Sequence, residues 1–339
     1  MSKKNSNAIL KNRFKDLKDL YQIYLDFKKK INKYKSKPFL VAVSGGPDSL
    51  ALVALTKAHS YENNSKFYYV LIDHNIRKKS NYEARQVKNL LKKNSIYIDI
   101  IVNKIKIEKN IQSEARKIRY KLLENYCKKK KINTLLTAHN LEDQVETFFI
   151  RLSRGSGLTG LSSMSPVNKL NNKVVLLRPL LDVKKKFLIK CSKIAFGKYF
   201  IDPSNKNKKY LRTRIRNLQK PLQDSGLNYE QIIKSINNLA SSKKTLDNLI
   251  KKILKDLIAK KGNNISINLQ NFNNLNEETK IRAINESIRK LKKNYYNPRS
   301  KKVVYLLKAI KSKKFVSSTL GGCIFMRKNG KLWIKIEKN

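Results

Sequence analysis

The sequence has few of the residues that build metal centres and disulfide frameworks. Only three cysteines and three histidines occur among 339 residues. No two of the cysteines, Cys127, Cys191 and Cys323, form a Cys-x-x-Cys pair, and the histidines are scattered. These absences argue against a zinc site, an iron–sulfur site and a disulfide-stapled fold.

Long apolar runs are also missing. No stretch approaches the roughly 20 apolar residues of a membrane span, and the first residues are polar. The sequence therefore predicts a protein without membrane contact, with the cytoplasm as its default location. Hydrophobic residues make up 40% of the chain. That fraction is enough for packed cores, and the length suggests two domains.

Acidic residues are scarce compared with basic ones. The chain has 24 Asp and Glu against 76 Lys and Arg, which gives a formal net charge of +52. Such an excess favours a polyanionic partner such as RNA. A lysine bias shared by a whole proteome would produce the same excess. The charge therefore permits an RNA partner without establishing one.

Short apolar runs alternate with helical patterns in the first two thirds of the chain. The runs occupy residues 38–43, 67–72, 96–102 and 134–138. Helical spacing of apolar residues occurs at about 49–58, 81–93, 113–130 and 142–153. Continuous apolar strands between helices predict an α/β fold with a doubly wound, mainly parallel sheet. Ligands of such sheets bind beyond the carboxyl ends of the strands.

The same patterns predict the domain organisation. We expect residues 1–37 to form a basic helical lead-in and residues 38–220 to form the catalytic domain. Residues 221–339 are expected to form a smaller, mostly helical accessory domain. It would end in a β-hairpin with Asn329-Gly330 as the two-residue turn.

A glycine loop follows the first predicted strand and opens a helix. We use this name for Ser44, Gly45, Gly46, Pro47, Asp48 and Ser49. Glycines let the backbone approach a ligand closely, and the amides at a helix start favour an anion. A carboxylate among phosphates, here Asp48, makes sense when Mg²⁺ lies between them. The loop predicts a nucleotide site, and the alternative is an ordinary turn with Asp48 or Ser49 as a helix cap.

A second cluster of polar residues follows the fourth predicted strand. His139 lies at the strand end, and Glu142, Asp143 and Glu146 fall in the first turns of the next helix. Their spacing brings the three carboxylates close together, so a cation such as Mg²⁺ or an ammonium group is expected there. The alternative is a set of exposed acids that the helix dipole favours.

The order of the motifs resembles that of the tRNA(Ile)-lysidine synthases, which are PP-loop (N-type) ATP pyrophosphatases. The matching segments are 44–49, 72–77, 113–120, 137–147, 151–161, 178–181, 202–205 and 212–217. The resemblance is good over about 38–220 and weaker over the tail. The chain differs at Asn140, where the family often has a second histidine, and at Glu142, where it often has aspartate.

The resemblance implies a fold, an activity and a set of partners. The fold would be adenine nucleotide alpha hydrolase-like. The activity would be ligation of free L-lysine to C2 of the wobble cytidine in the CAU anticodon of tRNA(Ile). It would use ATP and Mg²⁺, pass through an adenylated cytidine, and release pyrophosphate and AMP. The product, lysidine, would change decoding from AUG to AUA. A homodimer is one allowed assembly.

The resemblance also implies roles for individual residues. The glycine loop would hold the phosphates, and Asp48 and Glu142 would face Mg²⁺. His139 and Asp143 would act near the α-phosphate, and Asp143 with Glu146 would hold the lysine ammonium group. Arg119 would contact a phosphate or the lysine carboxylate. The arginines expected to bind tRNA are Arg151, Arg154, Arg212, Arg214 and Arg216.

Three rival functions were weighed against this one. A thiolating enzyme would need paired cysteines, which are missing. An amidotransferase would need a nucleophilic cysteine and a glutaminase region, and neither is apparent. An RNA-binding protein with a relic nucleotide fold would not need Asp48, His139, Asp143 and Glu146, all of which are present.

Overall fold

The computed structural model describes most of the chain. The described residues are 17–34, 38–77, 79–108, 110–171, 173–202, 207, 209–292, 298, 300–312 and 314–337. Predictions that fall on residues 1–16, 35–37 or 203–206 lie outside them. The chain forms two compact units, which span Met1–Ala240 and Ser241–Asn339.

The first unit contains a six-stranded sheet. Its strands are β1 Phe39–Val43, β2 Phe67–Asp73, β3 Ile98–Val102, β4 Thr134–Leu136, β5 Val167–Lys169 and β6 Val175–Leu177. Their spatial order is β3-β2-β1-β4-β6-β5. All neighbours pair in parallel except β5 and β6, which are antiparallel. The predicted mainly parallel sheet is confirmed.

Helices connect and cover these strands. They are α1 Lys18–Asn32, α2 Pro47–Asn63, α3 Ser80–Lys93, α4 Ile111–Lys129, α5 Leu141–Leu152, α6 Leu158–Leu161, α7 Lys185–Phe196, α8 Leu211–Asn217, α9 Gln219–Asp224 and α10 Tyr229–Leu257. The helices α2 to α5 match the four helical patterns of the sequence. Helices α6, α7, α8 and α9 were not predicted.

Both faces of the sheet are buried, as a doubly wound fold requires. In β1, Phe39 and Val41 pack into one apolar cluster, which also contains Leu52 of α2. Leu40 points into a second cluster with Leu123 of α4. Alternate residues of one strand therefore serve two cores, which explains why the strands read as unbroken apolar runs.

The strand order creates a switch point between β1 and β4. The chain runs from β1 to β2 and β3 on one side, and then returns to place β4 on the other side of β1. In the parallel pair, Phe39 lies opposite Thr134 and Val41 lies opposite Leu136. The segments that follow β1 and β4 therefore emerge side by side at the carboxyl edge, where α/β sheets bind ligands.

Residues beyond 220 contribute to the first unit. Tyr229, Ile232 and Ile236 of α10 pack against Leu141 and Val145 of α5. The compact units consequently divide after Ala240, later in the chain than the predicted boundary after residue 220.

The second unit is built on an antiparallel sheet. Its strands are β7 Ile258–Lys261, β8 Asn264–Asn268, β9 Ser317–Leu320, β10 Cys323–Lys328 and β11 Lys331–Ile336, in the order β7-β8-β11-β10-β9. Its further helices are α11 Leu269–Asn273, α12 Glu277–Leu291 and α13 Ser300–Lys311. The predicted hairpin is β10–β11, and Asn329 and Gly330 turn it with φ of 49° and 68°. It is two strands of five, so the unit has more sheet than the sequence indicated.

Among the described residues, no helix combines the length and the apolar character needed to span a membrane.

Candidate active site

The glycine loop joins β1 to α2 and is held in shape by its two serines. The Ser49 hydroxyl accepts hydrogen bonds from the Ser44 amide at 3.2 Å and from the Ser44 hydroxyl at 3.1 Å, and donates to the Gly46 carbonyl at 3.0 Å. Pro47 is the first residue of α2, where a missing amide hydrogen costs nothing. The loop therefore presents the start of α2 at the edge of the sheet.

Gly45 is required by both its backbone angle and its surroundings. Its φ is +81°, a value that residues with a side chain rarely adopt. A Cβ at this position would lie 2.5 Å from Val87 Cγ2 and 3.4 Å from Phe200 Cδ2. The Gly45 carbonyl also accepts a hydrogen bond from the Phe200 amide at 3.0 Å. The loop is thus pinned between α3 and the segment after α7.

Asp48 stands in the first turn of α2 with one carboxylate oxygen unused. Oδ1 is buried and has no hydrogen-bond partner among the described residues. Burial raises the pKa of Asp48 to about 6, the nearby Lys185 ammonium lowers it, and Asp143 raises it further. The Asn140 side chain also interacts with Asp48. These influences show that the glycine loop and the start of α5 meet in space, as the sequence predicted.

Asn140 begins α5 as its N-cap. Its side-chain oxygen accepts a hydrogen bond from the Asp143 amide at 2.9 Å, and Asp143 Oδ2 accepts one from the Asn140 amide at 3.1 Å. This reciprocal capping box satisfies two amides that a helix start leaves open. Where the family often has a second histidine, this chain therefore has a residue that fixes the helix start.

Glu142 reaches across to another helix. Its Oε2 accepts a hydrogen bond from the backbone amide of Lys185, the first residue of α7, at 2.9 Å. Burial raises the pKa of Glu142, and the Lys185 amide lowers it. One oxygen of the predicted metal ligand is thus engaged in capping α7. The contact also holds Lys185 beside Asp48.

Glu146 forms the best-paired group of the site. Its side chain is 3% exposed, with Oε2 at 2.7 Å from Arg212 Nε and Oε1 at 2.7 Å from Arg216 Nε. Arg212 also lies 3.4 Å from Asp143 Oδ1. The ion pairs attach α8 to α5. Both Glu146 oxygens are therefore occupied by guanidinium groups, whereas Asp143 is less fully engaged.

His139 follows β4 in a strongly positive environment. Its Nδ1 lies 2.9 Å from the Thr137 hydroxyl. Burial, and then the charges of Arg178, Arg116 and Arg119, hold the pKa of His139 well below its usual value of 6.5. The imidazole is consequently neutral at physiological pH.

The arginines predicted to bind tRNA divide into two groups. Arg154 and Arg214 are exposed. Arg151 donates to the Gly160 and Ser163 carbonyls at 2.6 and 2.9 Å, and so holds the loop after α5. Arg212 and Arg216 are paired with Glu146, as described above. Arg151, Arg212 and Arg216 thus have partners within the protein. Their contacts with tRNA stay predictions, and such contacts would compete with these bonds.

The donor set of the site suits Mg²⁺ through few protein ligands. Among the described residues, no group of three or more His, Cys, Asp or Glu side chains is arranged to hold a metal ion. Mg²⁺ commonly takes only one or two carboxylates and completes its shell with phosphates and water. The unpartnered Asp48 Oδ1 is the oxygen that fits such an ion, and Glu142 keeps Oε1 as a second donor.

Sequence reasoning assigned no role to two residues of the site. Lys185 and Arg178 lie outside the glycine loop and the acidic helix start, and reach the site only through folding. Arg178 follows β6, which pairs with β4, and is 7% exposed. The signal that could have found it was its place directly after an apolar run, the same rule that singled out His139.

Comparisons with known proteins agree with this geometry. The family model of the PP-loop domain matches residues 20–222. The tRNA(Ile)-lysidine synthase of Wolbachia pipientis wMel is 35% identical over 288 residues, which cover 84% of this chain and 67% of that protein. The tRNA(Ile)-lysidine synthase of Wolbachia sp. subsp. Brugia malayi (strain TRS) is 32% identical and covers 93% of this chain and 71% of its own length.

A solved structure shows the same fold at lower similarity. The U34-tRNA thiolase NcsA from Methanococcus maripaludis superposes with a TM-score of 0.53 at 18% identity, over 65% of this chain and 80% of that one. At this identity the likeness concerns the fold alone. Since the PP-loop match covers more than half of the chain and both Wolbachia relatives match across both of its units, the chain belongs to the tRNA(Ile)-lysidine synthase family of ATP-using PP-loop ligases.

Proposed function

We propose that this protein ligates free L-lysine to C2 of the wobble cytidine in the CAU anticodon of tRNA(Ile), at the expense of ATP. The observation that carries the proposal is the meeting of the glycine loop with the start of α5 at the switch point between β1 and β4. Such a switch point suits a nucleotide whose phosphates lie on the amides of a helix start.

The first step is adenylation of the cytidine. Its O2 attacks the α-phosphorus of ATP, an O–P bond forms, and the bond between the α-phosphorus and the bridging oxygen breaks to release pyrophosphate. We assign the phosphates to the glycine loop, where the start of α2 offers amides and the hydroxyls of Ser44 and Ser49 hold the loop in shape. Lys185 lies beside Asp48 and adds a positive charge to this side of the site.

Asp48 would hold Mg²⁺, with Glu142 as the second donor. When bound, the ion would neutralise charge on the phosphate oxygens as pyrophosphate leaves. The chain's own part is to keep Asp48 Oδ1 unpaired and buried. The hydrogen bond from the Lys185 amide to Glu142 fixes the position of α7 beside this site.

The second step is displacement of AMP by lysine. The ε-ammonium group loses a proton, its nitrogen attacks C2, and the C2–O2 bond breaks so that AMP leaves with the former O2. We assign the ammonium group to Asp143. The single contact described for its Oδ1 is a long one, 3.4 Å from Arg212, so this oxygen can accept a further partner. Neutral His139 offers a ring nitrogen that can accept a hydrogen bond near the α-phosphate.

Glu146 has a different part in this proposal. Its carboxylate is saturated by Arg212 and Arg216, so a direct contact with lysine would require one guanidinium group to move. We assign it the positioning of α8 and of Arg212 next to Asp143. Its predicted contact with the ammonium group remains a prediction.

Thiolation is the nearest rival, and the cysteines disfavour it. All three are buried and unpaired as disulfides. Cys127 and Cys191 lie in different apolar clusters, on opposite faces of the sheet, and Cys323 belongs to the second unit. Cys127 and Cys191 therefore cannot share a cluster or relay a sulfur atom.

The experiment that tests the proposal is incorporation of labelled lysine. The protein is incubated with ATP, labelled L-lysine and either tRNA(Ile) with a CAU anticodon or a tRNA with another anticodon. We expect label in the first RNA alone, with one AMP released per lysine incorporated. Label in neither RNA, under conditions in which tRNA is bound, would reject the function.

A further inference from the structure

Three arginines that carry no carboxylate partner in the described residues lie close enough to His139 to act on its charge. Arg116 and Arg119 come from α4, and Arg178 follows β6; we call them the arginine group. Arg116 and Arg119 lie over the Tyr120 ring, with Cζ at 5.1 and 5.3 Å from its centroid. All three lower the pKa of His139. Residues distant in sequence thus converge near His139.

The arginine group has no counterion within the described part of the chain. No carboxylate there comes within 4.0 Å of Arg116, Arg119 or Arg178. Arg212 and Arg216, in contrast, have Glu146 as their partner. Like charges that converge without an acid repel one another, so this arrangement is favourable when an anion joins it.

Arg178 makes this case most sharply. It is 7% exposed, its Nη1 donates to the Ser165 carbonyl at 2.6 Å, and its Nε is buried without a partner. Burial lowers the pKa of Arg178 and that of Arg119. A buried guanidinium group with an unused donor is costly unless a charged ligand compensates for it.

We propose that the arginine group binds a backbone phosphate of the tRNA anticodon loop next to the wobble nucleotide. The proposal rests on the proposed function, since it presumes that the anticodon enters this site. Guanidinium groups match phosphate oxygens with two parallel hydrogen bonds, which makes arginine the side chain best suited to this ligand.

The charged groups near Asp48 differ from those near His139. Asp48, at the start of α2, feels Lys185, Asp143 and Glu142. His139 feels arginines instead. The site therefore has two halves, and the glycine loop lies in the first.

The exposure of the arginine group favours a polymer. Arg116 is exposed, Arg119 is partly buried and Arg178 is buried. The guanidinium groups therefore form a graded path from the surface to His139. A strand that enters from solvent can use such a path along its length, whereas a small anion would use only its inner end.

The test is binding of a short anticodon stem-loop RNA with a CAU anticodon, measured across a salt series without ATP or lysine. Arg116→Gln and Arg119→Gln are each expected to weaken binding on the order of tenfold. Each should lower the slope of log affinity against log salt by about 1. Lys121→Gln, which removes one positive charge from an exposed position of the same helix, should change both quantities much less.

The outcomes separate this inference from the proposed function. Wild-type affinity and slope in both arginine variants would overturn it, and so would losses equal to that of Lys121→Gln. A raised KM for ATP or for lysine with unchanged RNA binding would assign the arginine group to those ligands instead. Arginine-dependent binding by a protein that incorporates no lysine would leave the phosphate site standing and reject the proposed function.

If Arg178→Lys folds, it should weaken the stem-loop less than Arg116→Gln does, because charge is kept while the fork is lost. Weakening as large as that of Arg116→Gln, with unaltered thermal stability, would show that the guanidinium group of Arg178, and not its charge alone, is needed. Unaltered binding would show that the RNA does not reach Arg178, which contradicts the inference at that residue.

Discussion

The two halves of the site are built in opposite ways. The half around Asp48 uses one continuous loop, backbone amides at a helix start and carboxylates held by caps. The half around His139 uses guanidinium groups from α4 and from the end of β6, with no acid paired to them in the described residues. The first half is shaped by backbone geometry and the second by side-chain charge. The difference suits two anions, a triphosphate that needs close backbone contact and an RNA strand that needs positive charge.

The largest expected effect separates chemistry from binding at the first half. Asp48→Ala removes the carboxylate proposed to hold Mg²⁺. The activation barrier should rise by several kcal/mol, so the rate of lysine incorporation should fall about a thousandfold. Affinity for the stem-loop RNA should change little, because the arginine group is intact. Steady-state incorporation and RNA binding would be measured on the same preparation. Asp224→Ala, at an exposed position of α9, is the control and should keep full activity; if Asp48→Ala also keeps it, the metal role is wrong.

The next effect concerns the pH dependence of stability without nucleotide. The pKa of Asp48 is raised from 3.8 to about 6 by burial. The folded protein therefore binds more protons than the unfolded chain between these values. The free energy of unfolding should consequently fall as the pH rises from about 4 to about 6, by at most about 3 kcal/mol. Asp48→Asn should lose this decline, and urea unfolding at several pH values would measure it. Parallel curves for the two proteins would contradict the buried, unpaired state of Asp48.

A third prediction compares paired with unpaired arginines. Glu146→Gln would leave Arg212 with only the longer contact to Asp143, at 3.4 Å, and Arg216 without its carboxylate. Their side chains are 36% and 34% exposed, so solvent offsets part of the loss. We expect a destabilisation of about 1–3 kcal/mol. Chemical unfolding would measure it, with Glu278→Gln as the control because Glu278 pairs with Arg282 while 58% exposed. Equal effects of the two changes would show that the burial of Glu146 is unimportant.

The smallest expected effect tests the backbone geometry of the glycine loop. Gly45→Ala would place a Cβ 2.5 Å from Val87 Cγ2 at a φ of +81°. Gly226→Ala shares the strained φ, at +87°, and meets nothing within 4 Å. Both should lose about 1 kcal/mol to backbone strain, and Gly45→Ala should lose about 1 kcal/mol more through the contact. Thermal unfolding and the KM for ATP would be measured. Val87→Ala removes the contact with the new Cβ and leaves the backbone strain. If the double variant is less stable than Gly45→Ala alone, backbone strain outweighs the contact.

The sequence contained most of the first half and little of the second. The glycine loop and the acidic helix start are local signals, since each follows an apolar strand and opens a helix within a few residues. The parallel strand pairing of β1 and β4 then brings them together. Arg178 could not be linked to Arg116 and Arg119 in this way, because only the sheet order β1-β4-β6 sets it beside them.

Pairing between side chains was the other limit of the sequence. Glu146, Arg212 and Arg216 were each assigned a ligand, yet the structure pairs them with one another. Charge type at a position does not say whether a partner from another helix will neutralise it. In the second unit, short polar strands such as β9, Ser317–Leu320, carried no alternating apolar pattern, so only the hairpin with its Asn-Gly turn was recognised.

The central claim is that the site beyond the carboxyl ends of β1 and β4 transfers AMP to a tRNA carbonyl oxygen before lysine attacks. It is tested most directly by following that oxygen. A tRNA(Ile) transcript labelled with ¹⁸O at O2 of the wobble cytidine is incubated with the protein, ATP and L-lysine. The ¹⁸O content of the RNA and of AMP is then measured by mass spectrometry. The account predicts that the ¹⁸O leaves the RNA and appears in AMP, one atom for each lysine joined. Label that stays in the RNA, or AMP without label, would contradict it.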